Sequence, residues 1–143
     1  MPFGIRFTEA LEGAFRLSGS PREGRMRLEL DGAGRAARVW RGEPVEVAGS
    51  IVAIGWLAET RVEGTLTFDR PSFAFTYRFT TVSSAEPAHV LCGLRTIRGH
   101  AYAGLTTLAL AISRADELVG DATLRLDARR GPRTIAGMHV SWA

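Results

Sequence analysis

The sequence lacks several residue types: it contains no lysine, no asparagine and no glutamine, and it has a single cysteine, Cys92. One cysteine cannot form an internal disulfide, and a cytoplasmic location is the simplest interpretation. No apolar run approaches the ~18 residues that indicate a transmembrane helix, so we predict no membrane span. The N-terminal segment "MPFGIRFTEALEG" also lacks the basic-then-apolar layout of a signal peptide, in agreement with a cytoplasmic protein.

The absence of lysine makes all 18 basic residues arginine. The formal net charge is only +3, and the isoelectric point near 10.0 follows because guanidinium groups stay protonated at any ordinary pH. The arginines are dispersed and usually lie near Glu or Asp, and only "ARRGPR" at 128–133 is a basic cluster. Because a nucleic-acid groove needs a basic stripe with stacking aromatics, we predict no nucleic-acid partner.

Motifs for metals, nucleophiles and nucleotide cofactors are missing as well. The chain has no C-x-x-C, H-E-x-x-H or G-x-S-x-G, and its "H-x-x-C" at 89–92 places His89 and Cys92 on opposite faces of a strand. Cys92 alternates with Val90 and Leu94, which predicts a buried, unreactive thiol. No G-x-G-x-x-G opens a helix after a strand, so we predict neither a metal nor a cofactor.

What the sequence does contain is strand periodicity over most of its 143 residues. Segments such as "RMRLELDG", "VEVAGSIVAIGWL", "RVEGTLTFD", "AHVLCGLRTI", "GDATLRLDA" and "RTIAGMHVSW" are β-rich or alternate apolar and polar residues. "LTTLALAISRADEL" is compatible with a helix, but its alternation and its neighbours favour a strand with a turn at Ser113–Glu117. Polar, glycine-rich segments at 18–24, 31–37 and 128–133 predict loops.

About nine or ten short strands at this spacing predict an all-β fold, a small antiparallel β-barrel of the calycin or lipocalin type. The length predicts a single domain over residues 1–143. The sixteen glycines agree with this architecture, since closing a sheet needs bends and bulges.

The aromatic residues concentrate in one stretch, "TLTFDRPSFAFTYRFT" at 65–80. Phe68 ends one predicted strand, Phe73 begins the next, and "DRPS" between them predicts a four-residue turn. The hairpin then gathers an aromatic wall on one face, made of Leu66, Phe68, Phe73, Phe75, Tyr77 and Phe79. Arg78 points away from this wall, beside Thr65 or Thr67.

The order of several segments resembles the β-rich region that accompanies the flavin domain in cholesterol-oxidase-like glucose–methanol–choline oxidoreductases. "FTEALEG" (7–13) resembles an "FTE-x-M-x-G" opening, "FTYRFT" an "M-x-Y-R-L-x-F" strand, and "VLCGLRTIRG" an "L-x-G-x-K-x-[IV]" strand with Arg95 in place of Lys. "EVAGSIVAIGWLAETRVEGTLTFD", "TTLALAI" and "LVGDATLRL" resemble further strands, so that the likeness spans residues 5–127. The C-terminal "RTIAGMHVSWA" departs from that family's ending.

The resemblance implies a stand-alone accessory barrel without the flavin domain. It transfers no catalytic residue and no oxidase activity, but it implies a partner: the barrel docks on a separately encoded flavin oxidoreductase.

Three functional hypotheses follow. The first is a binding module for an apolar or amphipathic small molecule, lined by Trp56, Leu66, Phe68, Phe73, Phe75, Tyr77, Phe79 and Tyr102. The second is a small barrel enzyme of the cyclase or isomerase type that uses acid–base catalysis, with Tyr77 and His100 as candidates. The third is the partner subunit, and whether the protein is an enzyme stays open.

Two sets of residues have a plain structural interpretation beside the functional one. Tyr77 is either part of a ligand site or an ordinary core aromatic, because periodicity alone does not separate the two. Arg78, Arg95 and Arg98 either clamp an anion or pair with Glu and Asp across strands on the solvent face, and alternation favours the second.

Overall fold

The computed structural model describes residues 4–72, 74–83, 88–96, 107–126 and 138–142. Nine strands and one short helix lie within these residues. In chain order they are β1 (Gly4–Leu17), β2 (Gly24–Arg35), α1 (Ala36–Trp40), β3 (Val45–Ala53), β4 (Leu57–Asp69), β5 (Ala74–Val82), β6 (His89–Thr96), β7 (Thr107–Arg114), β8 (Glu117–Leu126) and β9 (Met138–Trp142).

Eight of the strands form a closed antiparallel barrel. Each strand from β1 to β7 pairs with the next one along the chain, and β8 pairs back onto β1. The predicted all-β antiparallel barrel is therefore confirmed. The barrel itself closes with eight strands rather than nine or ten, because β1 is long enough to pair twice on one side: Leu11–Leu17 pairs with β8 and Ile5–Glu9 with β9.

The barrel interior is filled by one face of every strand from β1 to β8. Inward positions alternate with exposed ones, for example Met26, Leu28 and Leu30 on β2 and Leu108, Leu110 and Ile112 on β7. Each fully buried side chain of this kind contributes roughly 1.5–3 kcal/mol through the hydrophobic effect. The apolar faces that the sequence predicts for β2 and β7 are thus among those that form the core.

Two tryptophans mark the two ends of the barrel. At the Trp40 end, α1 and the β4–β5 turn meet, and the ring of Trp40 stacks on Phe68 with centroids 5.9 Å apart. At the Trp56 end, Trp56 packs between Phe15 and His89, with centroid distances of 5.6 and 5.0 Å. No helix in the described part of the chain is long and apolar enough to cross a membrane.

The aromatic hairpin forms as predicted. Leu66 pairs with Tyr77 and Phe68 with Phe75, so their side chains share the inner face. Arg78 lies opposite Thr65 and is exposed. The turn between the strands is closed by the Asp69 carboxylate, which accepts hydrogen bonds from the backbone N–H and the hydroxyl of Ser72.

Two further local predictions have different outcomes. Within "LTTLALAISRADEL", Thr107–Arg114 forms a strand, as expected, and the turn after it is tight, with Ala115 and Asp116 at φ 51° and 64°. The prediction of a loop at 31–37 is wrong, because β2 continues to Arg35 and α1 follows it directly. Its glycines stay in the ladder since β1 extends equally far and supplies backbone partners to Gly32 and Gly34. The predicted 128–133 loop lies outside the described residues.

Candidate functional site

Three polar side chains from three strands meet inside the barrel, nearer its Trp40 end. Glu9 comes from β1, Tyr77 from β5 and Arg95 from β6, and together they are called the polar cluster here. Their exposed fractions are 4%, 0% and 1%. Charged residues are almost never this deeply buried unless they are paired, so the cluster is the feature of the interior that needs a chemical explanation.

A buried ion pair connects two members of the polar cluster. Nη1 of Arg95 donates a hydrogen bond to Oε2 of Glu9 at 3.0 Å. The guanidinium carbon of Arg95 also lies 5.5 Å from the centroid of the Tyr77 ring, within range of a cation–π interaction. The formal charges of Glu9 and Arg95 cancel, which limits the cost of placing them in an apolar interior.

Four buried polar atoms of the cluster have no hydrogen-bond partner among the described residues. They are Oε1 of Glu9, the hydroxyl oxygen of Tyr77, and Nε and Nη2 of Arg95. An unsatisfied buried polar group costs about 1–3 kcal/mol, and native proteins carry few of them. Four such atoms on three neighbouring side chains make the polar cluster the candidate site of the barrel interior.

Burial dominates the protonation behaviour of the cluster. It raises the pKa of the Glu9 carboxyl, against the opposing effects of the Arg95 charge and, more weakly, of the nearby Tyr77 hydroxyl. Burial also raises the pKa of Tyr77 well above its ordinary value, and the negative charge of Glu9 acts in the same direction. Tyr77 therefore keeps its proton at neutral pH and is available as a donor.

A glycine makes room for this arrangement. Gly93 lies opposite Tyr77 in the β5–β6 register. A Cβ at position 93 would come within 2.6 Å of a methyl carbon of Leu110 and 2.7 Å of the Ala109 carbonyl oxygen. The missing side chain thus leaves space for large neighbours on the inner face, which is a common use of glycine within a strand.

The residues predicted to line a ligand site do not all lie in one part of the barrel. Leu66, Phe68, Tyr77 and Phe79 are buried on the inner face, and Phe75 is half-buried there. Trp56 lies instead at the opposite end of the barrel from Phe68 and Phe75. Phe73, His100 and Tyr102 lie outside the described residues. The other five members of the aromatic wall share the inner face, and their proposed role in binding stays a prediction.

Two predictions for β6 are wrong. Arg95 was expected to pair on the solvent face, but it is buried against Glu9. Cys92 was expected to be buried, but it is half-buried on the outer face, where Leu94 is 51% exposed. The cause is parity: both faces of β6 carry apolar residues, and the register with β5 selects the odd-numbered face for the interior.

The sequence did contain a signal for the two residues that were missed. Glu9 has the same parity as Leu11 and Phe15, and Arg95 has the same parity as Leu91, so each charge continues an apolar face. A lone charge on such a face predicts either a buried pair or a strand end. Only the tertiary structure shows that the two charges meet.

Metal-ligating residues do not gather in the part of the chain that the structure describes. No group of three or more His, Cys, Asp or Glu side chains there is arranged to hold an ion. His89 is buried against Trp56, while Cys92 lies on the other face of the same strand, as the H-x-x-C spacing predicts.

A separate groove of about 880 Å³ crosses the outer surface of β1–β4. Charges of both signs line it, including Arg6, Asp31, Glu46, Arg61 and Glu63. Arg61 and Glu63 already form an ion pair at 2.9 Å, so this groove is a solvated charged face rather than an extension of the aromatic wall.

These features define a class of protein: a closed antiparallel β-barrel with a buried Glu–Arg–Tyr cluster in an otherwise apolar interior. Comparisons with protein-family models, with curated proteins and with solved structures give no match. The resemblance to the accessory region of flavin oxidoreductases therefore stays a prediction, together with the partner subunit and the cytoplasmic location that were inferred from the sequence.

Proposed function

We propose that the barrel binds a small amphipathic molecule whose polar group reaches the cluster of Glu9, Tyr77 and Arg95. The observation that carries this proposal is the set of four unpartnered polar atoms in an apolar interior. A bound polar group removes their desolvation cost, while the surrounding leucine and phenylalanine side chains receive the apolar part.

The hydrogen-bonding capacity of the cluster indicates the chemistry of the ligand. Arg95 offers free N–H groups at Nε and Nη2, Tyr77 offers a hydroxyl, and Glu9 offers only one unpartnered acceptor oxygen. Because donors exceed acceptors, the ligand group is an oxygen that accepts hydrogen bonds. Because Glu9 already neutralises Arg95, a neutral ketone or alcohol is favoured over a carboxylate, whose extra buried charge would have no partner.

The Trp40 end is the end of the barrel nearer to the cluster. Arg95 is the last but one residue of β6, and Phe75 on the neighbouring strand is only half-buried at the same level. Trp40, 53% exposed and stacked on Phe68, lies at this end as a natural fluorescent reporter. Entry of a ligand beside Phe75 should change the Trp40 emission more than that of Trp56.

The experiment compares three probes of equal chain length: a medium-chain alkane, the corresponding primary alcohol and the corresponding ketone. Affinity is measured by thermal shift and by tryptophan fluorescence in the wild type and in Trp40→Phe and Trp56→Phe variants. We expect the ketone and alcohol to bind about tenfold or more tightly than the alkane, since a hydrogen bond to a charged group contributes about 1.5–3 kcal/mol.

The control is a barrel in which the charged pair of the cluster is apolar, Glu9→Leu/Arg95→Met. There the preference for an oxygen-bearing probe should fall to the share that Tyr77 contributes, while the alkane still binds. Tyr77→Phe, which keeps the ring, should weaken the preference without abolishing it. The proposal fails if no probe shifts the wild type, or if alkane and ketone bind the wild type equally.

A second function is favoured by the proximity of a carboxylate to the two donors. A ketone held by Arg95 and Tyr77 would have its oxygen stabilised as charge develops, and Glu9 Oε1 is free to take a proton from the adjacent carbon. If the ketone is β,γ-unsaturated, returning that proton to the γ carbon shifts the double bond into conjugation and completes an isomerisation, with no cofactor and no net change in atoms or electrons.

Proton exchange tests this second function directly. In D₂O, the wild type should speed deuterium uptake at the carbons next to the ketone group, as followed by NMR, and Glu9→Gln should remove that acceleration. If the wild type binds the ketone but does not speed deuterium uptake, the isomerase function is excluded and the binding function is retained. His100, the other catalytic candidate from the sequence, lies outside the described residues.

A further inference from the structure

The outer face of β6 and β7 differs from the rest of the barrel exterior because its central side chains are uncharged. The outward residues of the two strands are Val90, Cys92, Leu94, Ala109, Ala111 and Ser113, called the β6–β7 face here. Leu94 is 51% exposed and both alanines are exposed. By contrast, the outer face of β1–β4 carries ion pairs such as Arg27–Glu12 and Arg61–Glu63.

The β6–β7 face has larger side chains along one strand and smaller ones along the other. In the register between the strands, Leu94 lies beside Ala109, Cys92 beside Ala111, and Val90 beside Ser113. The face is therefore a ridge on β6 running parallel to a shallow furrow on β7. Such a surface is complementary to itself when a second copy is turned so that each ridge enters the other furrow.

Opposite charges flank this face at the same level. One register row runs from Arg78 on β5 through Cys92 and Ala111 to Asp121 on β8. Neither Arg78 nor Asp121 forms an ion pair with any residue that the structure describes. Nη1 of Arg78 donates a hydrogen bond to the uncharged Cys92 sulfur at 3.5 Å. Arg16, the neighbour of Asp121 on β1, is instead paired with Glu23.

We infer that the β6–β7 face binds a second copy of this chain about a two-fold axis that runs parallel to β6 and β7, midway between them. That rotation places Leu94 over Ala109 of the second copy and Cys92 over Ala111. It also brings Arg78 opposite Asp121 of the second copy, twice per dimer. A two-fold axis at right angles to this one would instead place arginine over arginine, so the charges select the orientation.

The distances are compatible with this arrangement. Packed sheets lie about 10 Å apart, and barrel strands tilt by about 35–45°, so a row across the strands curves slowly away from the interface. Arginine and aspartate side chains together bridge the widening gap at the flanks. Because the central face is small, we expect a dissociation constant in the micromolar range rather than an obligate dimer.

Sedimentation velocity of the full chain over a range of concentrations tests the interface. The wild type should change from monomer to dimer in the micromolar range. Leu94→Arg should raise the dissociation constant at least about tenfold, since it places a bulky charge in the furrow. Ile54→Arg is the matched control, because Ile54 is 69% exposed in the β3–β4 turn at the Trp56 end, and it should dimerise like the wild type.

A charge swap tests the orientation. Arg78→Asp and Asp121→Arg should each weaken the dimer about tenfold by placing like charges opposite each other, and the double swap should recover most of the wild-type affinity. Circular dichroism confirms that each variant is folded. A wild type that stays monomeric at all concentrations, or a double swap no better than its single changes, would overturn the inference.

Discussion

Two ion pairs in this barrel have nearly equal geometry and opposite surroundings. Arg61 and Glu63 lie 2.9 Å apart on the outer face of β4, with side chains 64% and 53% exposed. Arg95 and Glu9 lie 3.0 Å apart inside the barrel, with side chains 1% and 0% exposed. The distance alone therefore says little about what each pair contributes to stability.

The difference comes from the solvent. Outside, water screens both charges and solvates either one when the other is removed, so the pair contributes little. Inside, each charge has lost its water, and it depends on its partner to offset that loss. The same residue types thus form a dispensable contact on the surface and an interdependent one in the interior.

The largest expected effect is the loss of one buried partner. Arg95→Ala should lower the free energy of unfolding by about 3–5 kcal/mol, because it leaves Glu9 buried without its cation. Chemical denaturation measures the change, with Arg61→Ala as the control. A loss below about 1 kcal/mol, similar to that of the control, would show that Glu9 is already satisfied by another group.

Replacing both buried partners should have the opposite effect on stability. Glu9→Leu/Arg95→Met removes both desolvation costs, and we expect stability between that of the wild type and about 1–4 kcal/mol above it. Denaturation midpoints of the single and double variants provide the measurement. If the double variant is as unstable as Arg95→Ala, the ion pair itself holds β1 and β6 in place.

The buried pair should also make stability depend on pH. The pKa of Glu9 is raised in the folded state, so above pH ~4.5 the folded protein holds more protons than the unfolded chain. Its stabilising contribution is therefore complete below that pH and is lost as the pH rises through the folded pKa. Glu9→Gln should flatten this part of the curve of melting temperature against pH; identical slopes in the variant and the wild type would contradict the assignment.

The smallest effect is expected on the surface. Removing the Arg61 side chain should cost at most about 1 kcal/mol, and the cost should shrink further at high salt because the pair is exposed to screening. Melting curves at low and high ionic strength are sufficient to show it. A large, salt-independent loss would mean that Arg61 acts through packing in the outer groove rather than through its charge.

How far the sequence predicts this barrel is clear from particular strands. β2 and the β4–β5 hairpin alternate strictly, so their inner faces and the outward position of Arg78 follow from the pattern alone. β6 has apolar residues at both parities, and there the pattern selected the wrong face. Pairing with β5 fixes the correct one, since Gly93 must lie opposite Tyr77. The same pairing brings Arg95 into the interior.

The candidate site was likewise predicted only in part from the local sequence pattern. Tyr77 and its aromatic neighbours were identified from alternation along one hairpin, a signal that lies within sixteen consecutive residues, 65–80. Glu9 and Arg95 are 86 positions apart, and no local pattern connects them. Their segments each belong to a motif of the predicted resemblance, but nothing in the motifs places them side by side.

By itself, the sequence determined the local geometry: strands, because of their two-residue period; a tight aromatic hairpin, because of its turn; and no internal disulfide, because of one cysteine. Only the tertiary structure decided which face of β6 is buried, that eight strands suffice for closure, and that Glu9 meets Arg95. The physical reason is range: alternation acts between neighbours along the chain, whereas the pairing of distant charges depends on the register accumulated around the whole barrel.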